Sequence, residues 1–319
     1  ILFKNKINLK YKRMNIIDKI KEKRPNLKQN SINAYIIVLK KLNDNKEIKD
    51  LDFLANKEEI KEKLEKLKLT TRRNYVTGIL VVLQAFDATQ KLIDYYKNII
   101  NDLNEEYTAI MSKNNKSEKQ LQNWTSMDEL KKVFKDLEKE VMDLDLKNKI
   151  KIKPTEFTKL QDYLIAGLYT LLPPIRLDYA PMFIVPSKTQ AVESNNYLIN
   201  SGRNKKSFLI QEFKNVSSKG AQTINIPPKL NTIINMWLKW NDTNFFLLNN
   251  RKEVLSANGL GKMISRIFAP TKKNITINLL RSIYISENVN VEVVKKNEMI
   301  AEAMMHSTSV QQGIYYKDD

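Results

Sequence analysis

The sequence predicts a mainly α-helical protein with one small antiparallel β-sheet, divided into a helical first half and an α+β second half. Three observations predict this fold class. Apolar residues recur at helical spacing through most of the chain, short β-like runs occur only between residues 180 and 227, and a polar stretch separates the two halves. With 319 residues, the chain is long enough for two domains of ordinary size.

The first half is predicted to be a small helical domain, residues 29–111. Its helices are predicted from the amphipathic stretches "NSINAYIIVLKKL", "EEIKEKLEKLKL", "TTRRNYVTGILVVLQAFDAT" and "KLIDYYKNIINDLNEEYTAIM". Residues 1–28 precede this domain and hold ten basic and two acidic residues. We expect them to form a basic N-terminal arm or a first helix.

The polar stretch 112–123, "SKNNKSEKQLQN", has no apolar periodicity and is predicted to be the linker. The second domain is predicted to span residues 124–319. It opens with "SMDE", a capping-box pattern that predicts the start of a helix. A strongly apolar helix, "EFTKLQDYLIAGLYTLL", follows and ends at Pro173 and Pro174.

Short β-like runs follow the double proline: "APMFIV", "NYLIN", "SFLIQEF" and "QTINIP", with a predicted turn at 216–221 between the last two. Helices then resume with "KLNTIINMWLKW", "SANGLGKMISRIF", "ITINLLRSIYISEN" and "VEVVKKNEMIAEAMM". The second domain is therefore predicted to be mostly helical and to carry the one small sheet.

The charge balance favours a polyanionic partner. Lys and Arg number 54 against 36 Asp and Glu, a net charge of +18. The excess occurs in both halves, with 26 basic against 16 acidic residues in 1–123 and 28 against 20 in 124–319. A basic excess of this size is typical of nucleic-acid-binding proteins. The abundance of Lys, Asn and Ile is also typical of an AT-rich genome.

Composition argues against several classes of site. The chain has no cysteine, which excludes disulfides and thiolate metal sites and fits a reducing compartment. A single histidine argues against a conventional zinc site. The seven glycines form no phosphate-binding loop, and no apolar run reaches the length of a membrane span. We expect no metal, no cofactor and no membrane segment.

Basic residues at the ends of elements remain as candidates for chemistry on a phosphate. Arg176 follows the double proline in "LLPPIRLDY", and Lys214 ends a β-like run in "EFKNVSSKG". Arg281 lies inside the apolar helix "ITINLLRSIYIS", where a charge needs a partner. His306 is the only histidine, and Tyr315 follows it by nine residues.

The order and spacing of these residues resemble the catalytic domain of the tyrosine recombinases, or phage-type integrases. "LLPPIRLDYAPM" is similar to the first arginine box, "EFKNVSSKGAQTINIP" to the hairpin with the catalytic lysine, "NLLRSIYIS" to the H-x-L-R box and "MMHSTSVQQGIYY" to the closing box. The helical first half resembles the family's core-binding domain. The proline-arginine variant and the Lys- and Asn-rich composition resemble recombinases of large DNA viruses of protists and their parasitic elements.

The resemblance implies a site-specific DNA recombinase or integrase that works through a covalent 3′-phosphotyrosine, without metal or ATP. Arg176 and Arg281 would clamp the non-bridging phosphate oxygens. Lys214 would protonate the leaving 5′ oxygen. His306 would bind the phosphate or assist with the tyrosine proton, and Tyr315 would attack the phosphorus.

Two assignments have alternatives within the same motifs, and two boxes depart from the family pattern. Tyr316 is the alternative nucleophile, and Lys219 in the same hairpin is the alternative lysine. Asn278 stands where the second box normally has His or Lys; it can donate a hydrogen bond to a phosphate oxygen but carries no proton or charge. The first box often has glycine before its arginine and an acid three residues after, where this chain has Ile175 before and Asp178 two residues after.

The implied partner is double-stranded DNA, with a homotetramer acting on two sites. Arg72, Arg73 and Lys219 are weaker candidates for phosphate contacts. The protein would work wherever its target DNA is, in the host nucleus or cytoplasm if viral. Two other functions fit the same residues: a type IB topoisomerase-like enzyme that relaxes supercoils, and a catalytically impaired DNA-binding protein of recombinase descent.

Overall fold

The chain consists of two compact units. The computed structural model describes residues 16–113 and 115–311. Unit 1 ends at Asn115 and unit 2 begins at Lys116. Their boundary therefore falls within the predicted linker, residues 112–123. Each unit has a hydrophobic core of its own.

Unit 1 is helical in the residues that the structure describes. It contains α1 (Ile16–Lys23), α2 (Gln29–Leu42), α3 (Lys57–Glu65), α4 (Leu69–Ala85) and α5 (Gln90–Met111). Their apolar faces form one core, in which Ile20 of α1, Ile79 of α4 and Tyr96 of α5 are fully buried. The Tyr96 hydroxyl donates a hydrogen bond to the Leu54 carbonyl at 2.7 Å. Ile20 ties α1, which lies in the predicted basic segment 1–28, to this core.

Unit 2 is built around one buried helix. In chain order it contains α6 (Glu118–Asn123), α7 (Met127–Asp143), α8 (Pro154–Thr170), β1 (Met182–Val185), β2 (Asn196–Asn200), β3 (Lys206–Ile210), α9 (Val216–Lys219), β4 (Gln222–Asn225), α10 (Pro228–Trp240), α11 (Ala257–Ile267), α12 (Ile277–Asn288), α13 (Val291–Ala303) and α14 (Thr308–Val310). Every residue of α8 from Leu160 to Thr170 is buried. Helices α7, α10 and α11 pack against it. No helix in the described ranges is both long and apolar enough to cross a bilayer.

The predicted linker is helical at its end. Helix α6 occupies residues 118–123 because Ser117 and Gln120 form a capping box, in which each side chain bonds the other residue's backbone N–H. Of the capping box predicted at residues 126–129, one half forms: the Ser126 hydroxyl accepts a hydrogen bond from the Glu129 N–H. The Glu129 carboxylate accepts from the Thr125 hydroxyl instead. The irregular part of the linker is thus shorter than the sequence predicts.

The fold class is confirmed: the protein is mainly helical with one small sheet, whose strands follow in the order β1-β2-β3-β4. The sheet is mixed, however, and not wholly antiparallel as predicted. β1 and β2 are parallel, while β2–β3 and β3–β4 are antiparallel. Residues 186–195 carry the chain back along β1 before β2 begins. As a result β2 runs in the same direction as β1, and not in the opposite direction as expected. Ala191 of this segment packs on a small apolar cluster of the sheet that includes Tyr197 and Ile199.

An ion pair at the surface of the unit 2 core joins α8 to α11. The Arg266 guanidinium donates to both carboxylate oxygens of Asp162, at 2.6 and 2.7 Å. The Asp162 side chain is 11% exposed and that of Arg266 53% exposed. Burial raises the pKa of Asp162, and the Arg266 charge opposes that rise. The Arg266 charge therefore lowers the free-energy cost of keeping Asp162 ionised in this buried position.

Arg266→Met is expected to lower the free energy of unfolding by about 2 kcal/mol at neutral pH, because it leaves a buried carboxylate unpaired. Without Arg266 the pKa of Asp162 rises further. Since a raised folded-state pKa favours the protonated carboxyl, the loss should be small near pH 4 and grow as pH rises through that pKa. Urea unfolding across this pH range measures it. Lys61→Met, which breaks the more exposed pair with Glu65 in unit 1, should cost less than about 0.5 kcal/mol at every pH.

Candidate active site

The segment that carries Arg176 has no regular structure but is tethered by two buried side chains. This segment, residues 171–181, joins α8 to β1 and is called the arginine segment below. The Tyr169 hydroxyl donates to the Arg176 carbonyl at 2.9 Å. The Asn196 side-chain amide donates to the Asp178 carbonyl, also at 2.9 Å. The backbone on both sides of Leu177 is thereby fixed.

Asp178 lies close enough to both predicted arginines to be affected by their charges. Burial raises the pKa of Asp178, and the positive charges of Arg176 and Arg281 oppose that rise. Coulomb interactions weaken with distance, so both guanidiniums lie within electrostatic reach of this one carboxylate. Two arginines far apart in the chain therefore lie near the same carboxylate.

Helix α12 carries both Asn278 and Arg281. Its N-cap is Thr276, whose hydroxyl accepts from the Leu279 N–H. Leu280 is fully buried and anchors the helix in the core, which leaves Arg281 half-buried. Asn278 is exposed one turn earlier and lines a shallow groove between α12 and α6. An amide here can donate a hydrogen bond but cannot supply a proton.

Lys214 lies in the connection between β3 and β4, residues 211–221, called the lysine connection below. The prediction that it ends a strand is wrong, because β3 ends at Ile210 and pairing with β4 resumes only at Gln222. The predicted turn at 216–221 is also wrong in part, since α9 occupies most of it. Lys214 and its alternative Lys219 are both exposed. The structure places both lysines in one short connection.

His306 occupies a defined position after α13. Met305 adopts a left-handed conformation with φ of 57°, and its N–H bonds the Glu302 carbonyl. The His306 N–H bonds the Ala301 carbonyl, which completes a Schellman motif. The imidazole Nδ1 lies 3.2 Å from the Ser307 carbonyl oxygen. This turn fixes the direction in which the chain leaves the helix.

Tyr315 and Tyr316 lie outside the described residues. The assignment of the nucleophile and its nine-residue spacing from His306 therefore remain predictions. In the described ranges, no group of three or more His, Asp or Glu side chains is arranged to hold a metal ion.

The two weaker candidates in unit 1 have different surroundings. Arg73 Nε donates to Asn104 Oδ1 at 2.9 Å, and its guanidinium lies 3.9 Å from the centre of the Tyr107 ring. Arg73 therefore links α4 to α5. Arg72 Nε has no hydrogen-bond partner among the described residues. That nitrogen is buried, so it does not favour a phosphate contact, and the contacts by Arg72 and Arg73 remain predictions.

Three residues of the site were not among the predicted site residues. Asp178 was visible only as a departure from the family spacing. Tyr169 and Asn196 form their hydrogen bonds with backbone groups, so no sequence motif identifies them. A tyrosine in an apolar helix and an asparagine at the first position of a strand are ordinary features of a sequence.

Two buried tyrosines, one just before the arginine segment and one within it, provide a matched test of its packing. Tyr169 and Tyr179 are both fully buried, with rings in edge contact at 5.7 Å. The Tyr179 hydroxyl has no hydrogen-bond partner among the described residues. Tyr169→Phe should lower the free energy of unfolding by about 1 kcal/mol, and Tyr179→Phe should raise it by a similar amount. Thermal unfolding checks both, and equal losses in the two variants would contradict this description.

Comparison with known proteins gives only distant likenesses, among solved structures. No family model matches the chain, and no curated protein matches it. Among solved structures, the crystal structure of XerA recombinase aligns with 95% of this chain and 94% of its own, at 11% sequence identity and a TM-score of 0.33. The function proposed next therefore rests on this chain's own residues.

Proposed function

We propose that this protein is a DNA strand transferase of the tyrosine recombinase type, which cleaves and rejoins double-stranded DNA through a covalent 3′-phosphotyrosine. The observation that carries the proposal is that Arg176 and Arg281, distant in sequence, both lie within electrostatic reach of the Asp178 carboxylate. The net charge of +18 favours a polyanionic substrate. Strand exchange would take place between two DNA sites held by four copies of the chain.

The two arginines suit a phosphodiester undergoing in-line attack. Negative charge grows on the non-bridging oxygens as the attacking oxygen approaches phosphorus. A guanidinium is always charged and presents parallel N–H donors, so Arg176 and Arg281 can stabilise that charge without a metal ion. Preorganised cations of this kind are a large term in catalysis.

The covalent step forms one bond and breaks one. The Tyr315 oxygen bonds to phosphorus, and the bond from phosphorus to the 5′ oxygen breaks. Lys214 gives its proton to that 5′ oxygen, and the tyrosine proton passes to His306 or to solvent. The phosphate remains on Tyr315, so the energy of the bond is kept for rejoining. The reverse attack by a 5′ hydroxyl releases the enzyme.

A suicide substrate tests the proposal. The probe is a pool of duplexes with randomised sequence on both sides of a nick, so that cleavage near the nick releases a short fragment and traps the adduct. Wild-type protein is expected to form a complex with DNA that survives denaturing electrophoresis, and sequencing of the trapped DNA yields the preferred site. Failure to form an adduct with any member of the pool would contradict the proposal.

The exposed amide of Asn278 supports a second candidate, a DNA-binding protein without catalysis. Asn278 stands where a proton-carrying side chain is expected, and no other residue of α12 supplies one there. Salt-dependent retention of the duplex pool without any covalent adduct would identify this function.

A further inference from the structure

We propose that Asn196 is a positioning residue for the reaction, which holds the lysine connection against the arginine segment so that Lys214 reaches the leaving oxygen. The inference rests on the proposed function. It concerns a residue that touches neither DNA nor the reacting atoms. Asn196 is the first residue of β2 and is 5% exposed.

The Asn196 amide makes four hydrogen bonds. Its Nδ2 donates to the Asp178 carbonyl and to the Glu212 carbonyl, both at 2.9 Å. Its Oδ1 accepts from the Gln211 N–H at 2.9 Å and from the Glu212 N–H at 2.8 Å. An amide has two N–H donors and two acceptor lone pairs, so the side chain is fully used. A buried amide satisfied in this way has one orientation.

These four bonds join parts of the chain that are distant in sequence. One partner is the carbonyl of Asp178, whose carboxylate lies near both arginines. The other partners belong to Gln211 and Glu212, where the lysine connection leaves β3. Lys214 follows two residues later.

Backbone placement matters for Lys214 because its own side chain is exposed. A long, exposed lysine reaches a phosphate only if its Cα starts from the right place. The Asn196 bonds connect the backbone just before Lys214 to the segment carrying Arg176. A displacement of about 1 Å at a reacting group can cost roughly 100-fold in rate. Loss of Asn196 should therefore weaken proton donation by Lys214 more than it weakens the arginine clamp.

The test separates loss of proton donation from general damage. Two nicked duplexes carry the site recovered from the wild-type adducts, one with the normal 5′ oxygen at the scissile phosphate and one with sulfur in its place. A thiol has a pKa of about 8.5, against roughly 16 for water, so a thiolate leaves without a proton donor while an alkoxide does not. Rates of adduct formation are measured on both duplexes, well below each variant's unfolding temperature.

Asn241→Ala is the matched control. Asn241 is also a buried amide, 7% exposed, and it bonds the Phe245 carbonyl and the Thr243 N–H and hydroxyl. Its bonds stay within a turn after α10. The test variant itself is Asn196→Ala. If it does not fold, Asn196→Ser, which keeps a smaller polar group, replaces it.

The Asn196 variant is expected to be slowed roughly 10- to 100-fold on the oxygen duplex and to stay within about threefold of wild type on the sulfur duplex. Asn241→Ala should stay within about threefold on both. Equal slowing of the Asn196 variant on the two duplexes, no slowing on either, or the same pattern in Asn241→Ala overturns the inference while leaving the proposed function intact. Absence of any wild-type adduct overturns both.

Discussion

Tyr315→Phe is expected to abolish the covalent adduct with the nicked duplex while leaving DNA binding within about twofold of wild type. Phenylalanine has the same ring but no oxygen to attack phosphorus, so the first chemical step cannot occur. Binding should persist because affinity for DNA comes mainly from cations that contact phosphates. Adduct formation on denaturing gels and affinity in solution measure the two properties separately.

Tyr316→Phe is the matched control for this change. It removes the same oxygen one residue later and should form adduct at close to the wild-type rate. The opposite pattern, with adduct lost in Tyr316→Phe and kept in Tyr315→Phe, would move the nucleophile by one residue. Full activity in both variants would refute a tyrosine nucleophile in this segment.

Arg281→Ala is expected to slow adduct formation by roughly 10²- to 10³-fold, the loss typical for one preorganised donor to a developing oxyanion. The same change removes one of the two cations that face Asp178, so the pKa of Asp178 should rise further from its already raised position. Arg281→Lys keeps the charge but not the fork of donors and should give an intermediate rate. Single-turnover rates on the recovered site measure each variant.

Arg251→Ala controls for the loss of one positive charge. Arg251 is exposed in the turn before α11 and belongs to the same unit. We expect adduct formation within about twofold of wild type, because dissolved salt screens the attraction between an exposed charge and DNA. Equal losses in Arg251→Ala and Arg281→Ala would mean that the effect is one of charge alone and that no arginine clamp exists.

Much of the fold is predictable because apolar periodicity records which faces are buried. Helix α8 is an example: its continuous apolar run predicts full burial, and the structure buries it from Leu160 to Thr170. The direction of β2 was not predictable. A strand's own residues are compatible with either pairing, and the path of the 186–195 segment decides between them.

The candidate site was predictable in part. Arg176 and Arg281 stood out because a charge beside a double proline and a charge in an apolar helix both need a reason. In the structure both charges lie within electrostatic reach of the Asp178 carboxylate. Asn196 could not be predicted, because its role depends on carbonyl and N–H groups that approach only when the chain is folded. A side chain whose partners are backbone groups produces no residue pattern that a sequence can reveal.

The central claim is tested most directly by locating the bond between protein and DNA. Trapped wild-type adduct is digested with a protease and a nuclease, and the peptide that retains a nucleotide is sequenced by mass spectrometry. We expect a nucleotide joined through its 3′ phosphate to Tyr315, in a peptide that follows His306. A nucleotide attached to any other residue, or joined through a 5′ phosphate, would contradict the account.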